Sequence, residues 1–137
     1  MLNEILTKKI EQIDILLREL EGFTARSFEE FEKSIADTRA SERNFQLIVD
    51  LASDVNTELL LEKGFKAPDT YKQSFLFLAD AGIIEKKLAA DLAQSALIRN
   101  ILVHEYDIDE DNETFYREAK RFLPIFREYL KAVVGYE

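Results

Sequence analysis

Apolar residues recur along most of this chain at spacings of three and four, which is the period of an amphipathic helix. In the first segment they form a stripe of Leu2, Ile5, Leu6, Ile10, Ile13, Leu16, Leu17 and Leu20. Strand-like alternation is absent, and the chain has only four glycines and two prolines. The pattern therefore predicts an all-α protein.

Turn and capping residues divide the chain into five or six predicted helices. In order, we expect a helix ending at Gly22, a short one from the capping box Ser27–Glu30 to Ile35, a long one from Asp37 or Thr38 to about Glu62, one from Asp69 to Gly82, one from Ile84 to His104 and one from Glu113 to Val134. Short connections favour an antiparallel helical bundle, and residues 1–137 are predicted to form a single domain.

The predicted 84–104 helix is apolar on more than one face. A helix of this kind is buried on several sides, so we expect it to be the central helix and to supply a subunit interface. Pro124 is expected to kink the last helix, because proline removes one backbone hydrogen bond.

Charge and composition narrow the range of functions that the chain can have. The formal charge is −9, whereas RNA binding relies on lysine and arginine to neutralise phosphates. An RNA-binding role would therefore need a local basic pocket or a basic partner.

The chain has no cysteine and hence neither a disulfide nor a thiolate metal site. The sequence starts without a signal peptide and has no apolar run near the roughly 20 residues of a bilayer span, so we expect a cytoplasmic protein with no membrane contact.

Candidate chemistry is concentrated in the segment Arg99-Asn-Ile-Leu-Val-His104. His104 is the only histidine and so the only side chain with an ordinary pKa suited to proton transfer near neutrality. Asn100 precedes it by four residues and shares its helical face, beside the guanidinium of Arg99. A purely structural role is the alternative, in which Asn100 and His104 tie the helix end to the next turn.

The residues that follow are polar and strongly acidic. Tyr106 either packs in the turn or remains exposed for modification. The acidic cluster is Glu105, Asp107, Asp109, Glu110, Asp111 and Glu113. It is typical of a solvated turn. Its spacing to Glu118 also approaches a calcium loop, but Asn112 replaces the glycine that such a loop requires.

The run Arg99-x4-His104-x-Tyr106 resembles the R-x4-H-x-Y signature of the HepT-like toxins, a branch of the HEPN superfamily. The resemblance extends over nearly the whole chain. The further matching segments are Glu42-Arg43-Asn44-Phe45-Gln46, Asp50-Leu-Ala-Ser-Asp54, Ala67-Pro68-Asp-Thr-Tyr71 and Gly82-Ile-Ile.

This resemblance implies the toxin of a type VII-like toxin–antitoxin system, acting as a metal-independent endoribonuclease on mRNA or tRNA without a cofactor. It implies a homodimer whose motifs face each other across a cleft. It also implies a minimal nucleotidyltransferase (MNT) antitoxin that transfers AMP to Tyr106. His104 would act as acid–base group, Arg99 would clamp phosphate, and Asn100 would support them.

Two other interpretations remain open. A non-catalytic HEPN subunit would bind nucleotide or dock the transferase, and the acidic charge favours this alternative. A purely structural helical adaptor would leave the Arg-Asn-His-Tyr grouping unexplained.

Overall fold

Six α-helices make up the regular structure of the computed structural model, which describes residues 3–103, the backbone of His104, and residues 112–136. They are α1 (Glu4–Thr24), α2 (Phe28–Lys33), α3 (Ile35–Glu62), α4 (Tyr71–Asp80), α5 (Lys86–His104) and α6 (Asn112–Gly135). These ranges contain no strand, so the prediction of an all-α bundle of five or six helices is confirmed.

The predicted end of α1 is wrong, whereas the predicted start of α2 is confirmed. Gly22 does not end α1, which continues to Thr24. The reason is packing, because the Thr24 side chain is buried and its hydroxyl donates to the Leu20 carbonyl at 2.9 Å. The capping box of α2 is present, since Ser27 Oγ accepts from the Glu30 amide at 3.3 Å.

Two predicted N-caps are wrong by one to four residues. Ser34, and not Asp37 or Thr38, caps α3, because Ser34 has the extended backbone of an N-cap and its hydroxyl accepts from the Asp37 amide at 3.1 Å. Thr70, and not Asp69, caps α4 by accepting from the Gln73 amide at 3.1 Å. The remaining helix ends lie within two residues of their predicted positions, and α6 continues through Pro124.

The central helix is α3, which corrects the prediction for the 84–104 helix. α3 contacts α1, α2, α4 and α5 along its length. It contacts α6 through Phe45, whose ring meets those of Phe115, Phe122 and Phe126 edge-on. The surplus apolar surface of α5 is instead exposed near its C-terminal end, where Leu97 is 56% and Ile101 52% exposed.

A buried chain of hydrogen bonds joins α6, α3 and α4. The Tyr129 hydroxyl donates to Asn56 Oδ1 at 2.6 Å, and Asn56 Nδ2 donates to Ser74 Oγ at 3.1 Å. Ser74 Oγ donates in turn to the Tyr71 carbonyl at 2.7 Å. Because buried polar groups need partners, this chain fixes the first turn of α4 relative to the core. Within the described ranges, no helix is both long and apolar enough to cross a bilayer.

Candidate functional site

The side chain of Arg99 lies between α3 and α4, where only 18% of it is exposed. Its Nε donates to Asp50 Oδ1 of α3 at 2.8 Å. Its Nη2 lies 3.4 Å from the hydroxyl of Tyr71, the first residue of α4. The guanidinium carbon also lies 4.6 Å from the Tyr71 ring centroid. Three helices therefore hold one cation.

These contacts compensate for the partial burial of a charge. A guanidinium withdrawn from water needs a nearby carboxylate and satisfied N–H groups, and an aromatic ring adds an electrostatic attraction. Burial raises the pKa of the Tyr71 phenol, and the negative charge of Asp50 raises it further, while Arg99 partly offsets both effects. The phenol of Tyr71 is therefore neutral at physiological pH, and its oxygen is available to accept from Arg99.

The arrangement leaves a defined edge of Arg99 for a ligand. Because Nε is occupied by Asp50, a bidentate fork toward an oxyanion must use the terminal Nη1 and Nη2 groups. Asn100 Oδ1 lies 3.4 Å from Nη1, and Asn100 is exposed. Beside them is an open groove of about 400 Å³, lined by Thr70, Tyr71, Lys72, Ala96, Leu97, Arg99 and Asn100. The site is thus built to offer hydrogen-bond donors to an anionic group.

The structure brings Arg99 and Asn100 together. His104 is the last residue of α5, one turn beyond Asn100. The side chain of His104, Tyr106 and the acidic segment 105–111 lie outside the described residues, so their placement stays a prediction. The part of the chain that the structure describes contains no group of three or more metal-binding side chains.

Asp50 and Tyr71 were not among the predicted site residues. In the sequence they stood only within segments that resembled the family. A signal for Asp50 was present nevertheless, since it is the only charged residue in the otherwise apolar and polar run 45–53. A charged residue in the buried stripe of a helix needs a partner, but the sequence does not identify that partner.

Comparison with known proteins identifies the family. The model of the family described as ribonuclease HepT-like matches residues 13–133. The chain belongs to this family. The resemblance drawn from the Arg99-x4-His104-x-Tyr106 motif and its flanks is therefore confirmed at the level of the family.

Relatives of this HepT-like protein agree with the assignment. The tRNA nuclease HepT of Aphanizomenon flos-aquae is 32% identical over 111 residues, which are 81% of this chain and 76% of that protein. The Shewanella oneidensis HEPN toxin, solved tri-AMPylated and in complex with its MNT antitoxin, has a TM-score of 0.86 at 20% identity and covers 98% of this chain and 99% of its own. A toxin–antitoxin complex with AMP-PNP has a TM-score of 0.87 at 18% identity, covering 97% and 99% of the two chains. The last two likenesses show the shared fold.

We predict that Asp50→Asn lowers the pKa of the Tyr71 phenol. The substitution removes a negative charge that raises this pKa and leaves the opposing charge of Arg99 in place. A pH titration of the ¹³C signal of the tyrosine ring carbon that bears the hydroxyl measures the change, with Tyr71→Phe assigning the signal. Asp80→Asn is the matched control, because Asp80 lies at the other end of α4, about 14 Å away. An unchanged or higher pKa in Asp50→Asn would contradict the described geometry.

Proposed function

We propose that this HepT-like protein is a toxin of a type VII-like toxin–antitoxin system that cleaves RNA in the cytoplasm without a metal ion. The observation that carries the proposal is Arg99, whose guanidinium is paired with Asp50 and which lines an open groove five residues before the only histidine of the sequence. The kinship with a tRNA nuclease supports tRNA as the substrate class, with mRNA as the alternative.

In the proposed reaction His104 removes the proton from a ribose 2′-hydroxyl, and the 2′-oxygen attacks the adjacent phosphorus. The bond from phosphorus to the 5′-oxygen breaks, and an acid returns a proton to that oxygen. The products are a 2′,3′-cyclic phosphate and a 5′-hydroxyl. Arg99 stabilises the negative charge that develops on the phosphate oxygens, with Asn100 supporting it.

We expect His104→Ala to abolish RNA cleavage, a loss of at least about a hundredfold, because it removes the group that transfers protons. The helical circular dichroism spectrum should be unchanged, since the residue ends α5.

Cleavage of tRNA or mRNA by the unmutated chain should persist in EDTA. Loss of cleavage in EDTA would point to a metal nuclease and contradict the proposal.

A homodimer through α5 accounts for the exposed end of that helix. Ile101, two residues beyond Arg99 on α5, remains more than half exposed. One histidine per chain cannot be base and acid at the same time, so two motifs facing each other across a dimer would supply both groups.

We expect light scattering to give a dimer at micromolar concentration and Ile101→Glu to give a monomer with impaired RNA cleavage, because the new charge would be buried at the interface. Ile5→Glu is the control, since Ile5 is 67% exposed on α1. A monomeric unmutated chain, or dissociation caused equally by Ile5→Glu, would contradict the proposed interface.

We further propose an MNT-type nucleotidyltransferase antitoxin as the partner, with Tyr106 as the AMP acceptor. The fold shared with the Shewanella toxin, which was solved AMPylated and with its antitoxin, supports this partner. The phenolic oxygen of Tyr106 would attack the α-phosphorus of ATP, pyrophosphate would leave, and the phenolic proton would pass to a base. Each AMP then adds bulk and negative charge close to where substrate phosphate binds.

Tyr106→Phe should therefore stay toxic when the antitoxin is coexpressed. Intact-mass spectrometry after incubation with antitoxin, ATP and magnesium should show added AMP on the unmutated chain and on the control Tyr136→Phe, but none on Tyr106→Phe. Normal AMP addition to Tyr106→Phe would place the acceptor elsewhere. No added mass on any variant would mean that the antitoxin neutralises by binding alone.

The net charge of −9 favours a second candidate, a non-catalytic HEPN subunit that binds nucleotide or docks the transferase. In that case Arg99 would contact a nucleotide phosphate. Nucleotide binding by the purified chain without any RNA cleavage would decide for this alternative.

A further inference from the structure

We propose that the groove between α4 and α5 holds the RNA strand beside the cleaved bond, and that Lys72 contacts one of its flanking phosphates. The inference rests on the proposed function and adds a binding residue outside the Arg99–His104 motif.

Two adjoining depressions form the groove. One has about 400 Å³ and contains Arg99 and Asn100. The other has about 230 Å³ and shares Lys72 and Leu97 with the first.

The lining of this α4–α5 groove differs from the rest of the surface in charge. Asp and Glu account for 27 of the 137 residues of the chain, yet none of those that the structure describes lines either depression. The lining consists of Thr70, Tyr71, Lys72, Leu76, Ala90, Ala93, Gln94, Ala96, Leu97, Arg99 and Asn100. Among the described residues, the lining therefore offers a polyanion two cations, Lys72 and the Asp50-paired Arg99, although the chain as a whole repels it.

Lys72 is the cation in this groove that is free to bind a ligand. It is exposed, and it forms no hydrogen bond or ion pair with any residue that the structure describes. Arg99, in contrast, is already paired with Asp50, so its charge is largely balanced. Lys72 lies in the first turn of α4, next to Tyr71, whose ring packs on Arg99. Its backbone is thus fixed relative to the site, while its ammonium is available to a phosphate.

The apolar floor of the groove suits a single strand better than a duplex or a second protein chain. Alanines and leucines of α4 and α5 form this floor, and sugars or bases can pack on them without base-specific hydrogen bonds. Phosphates would follow the rim at Lys72 and Arg99. We therefore expect Lys72 to raise the affinity for RNA of any sequence and not to select a base.

The test measures RNA binding in the His104→Ala background, where the strand stays intact. Fluorescence anisotropy with a labelled single-stranded RNA gives Kd over a series of salt concentrations. Lys72→Gln should weaken binding several-fold for all sequences and reduce the salt slope by about 0.7, the contribution of one phosphate contact to a single strand. Lys72→Arg should restore both the affinity for RNA and the salt slope. Lys86→Gln removes the same charge about 20 Å before Arg99 on α5 and should leave both unchanged.

A second readout locates the phosphate. Single phosphates of the RNA are replaced one at a time by neutral methylphosphonates. One position beside the cleaved bond should weaken binding to the His104→Ala chain but have no effect once Lys72→Gln is also present. In chains that retain His104, Lys72→Gln should raise KM with little change in kcat, because the contact is outside the reacting atoms.

The outcomes separate this inference from the proposed function. If the unmutated chain cleaves RNA but Lys72→Gln behaves like Lys86→Gln, the groove assignment is overturned and the nuclease proposal stands. If Lys72→Gln instead lowers kcat with KM unchanged, Lys72 acts on the reacting group, and its assignment to a flanking phosphate is overturned. If the chain neither binds nor cleaves RNA, both proposals are overturned.

Discussion

The packing of α3 against all five other helices is the constraint on which the rest of the structure depends. Its apolar residues are buried on several sides, so its rotation about its own axis is fixed by the core. A shift by one residue would turn every side chain by about 100° and carry Asp50 away from α5. The core therefore does more than stabilise the bundle, because it also determines that Asp50 faces Arg99.

The Asp50–Arg99 pair has two consequences for chemistry. It allows a cation to stay charged in a partly dehydrated position, and with the Tyr71 ring it holds the guanidinium in place between α3 and α4. It also balances much of the positive charge that a polyanion would otherwise meet. Attraction of a substrate to a chain of charge −9 must then come from cations without partners, and Lys72 has no partner among the described residues.

Family and fold are established independently of this arrangement. The chain belongs to the ribonuclease HepT-like family over residues 13–133, and the fold is shared with a HEPN toxin solved in complex with its antitoxin. Fold likeness at 20% identity does not by itself assign a reaction, so the proposed RNA cleavage depends on the residues of the site. The described part of the site has a clamped arginine and a groove with no carboxylate in its lining, and the only histidine of the sequence ends α5 one turn beyond Asn100.

Helical periodicity is a local property, so the six helices and the place of the candidate motif on α5 could be predicted from the sequence, although the caps of α1, α3 and α4 were misplaced. Gly64 and Gly82, with φ of 86° and 77°, lie in the turns that follow α3 and α4. Which helix is central and which side chains meet Arg99 depend on tertiary packing, since Asp50 and Tyr71 lie 49 and 28 residues away in the chain. An apolar stripe shows that a helix packs, but it does not specify against which neighbour or in what register. Those choices depend on the fit of all six helices at once.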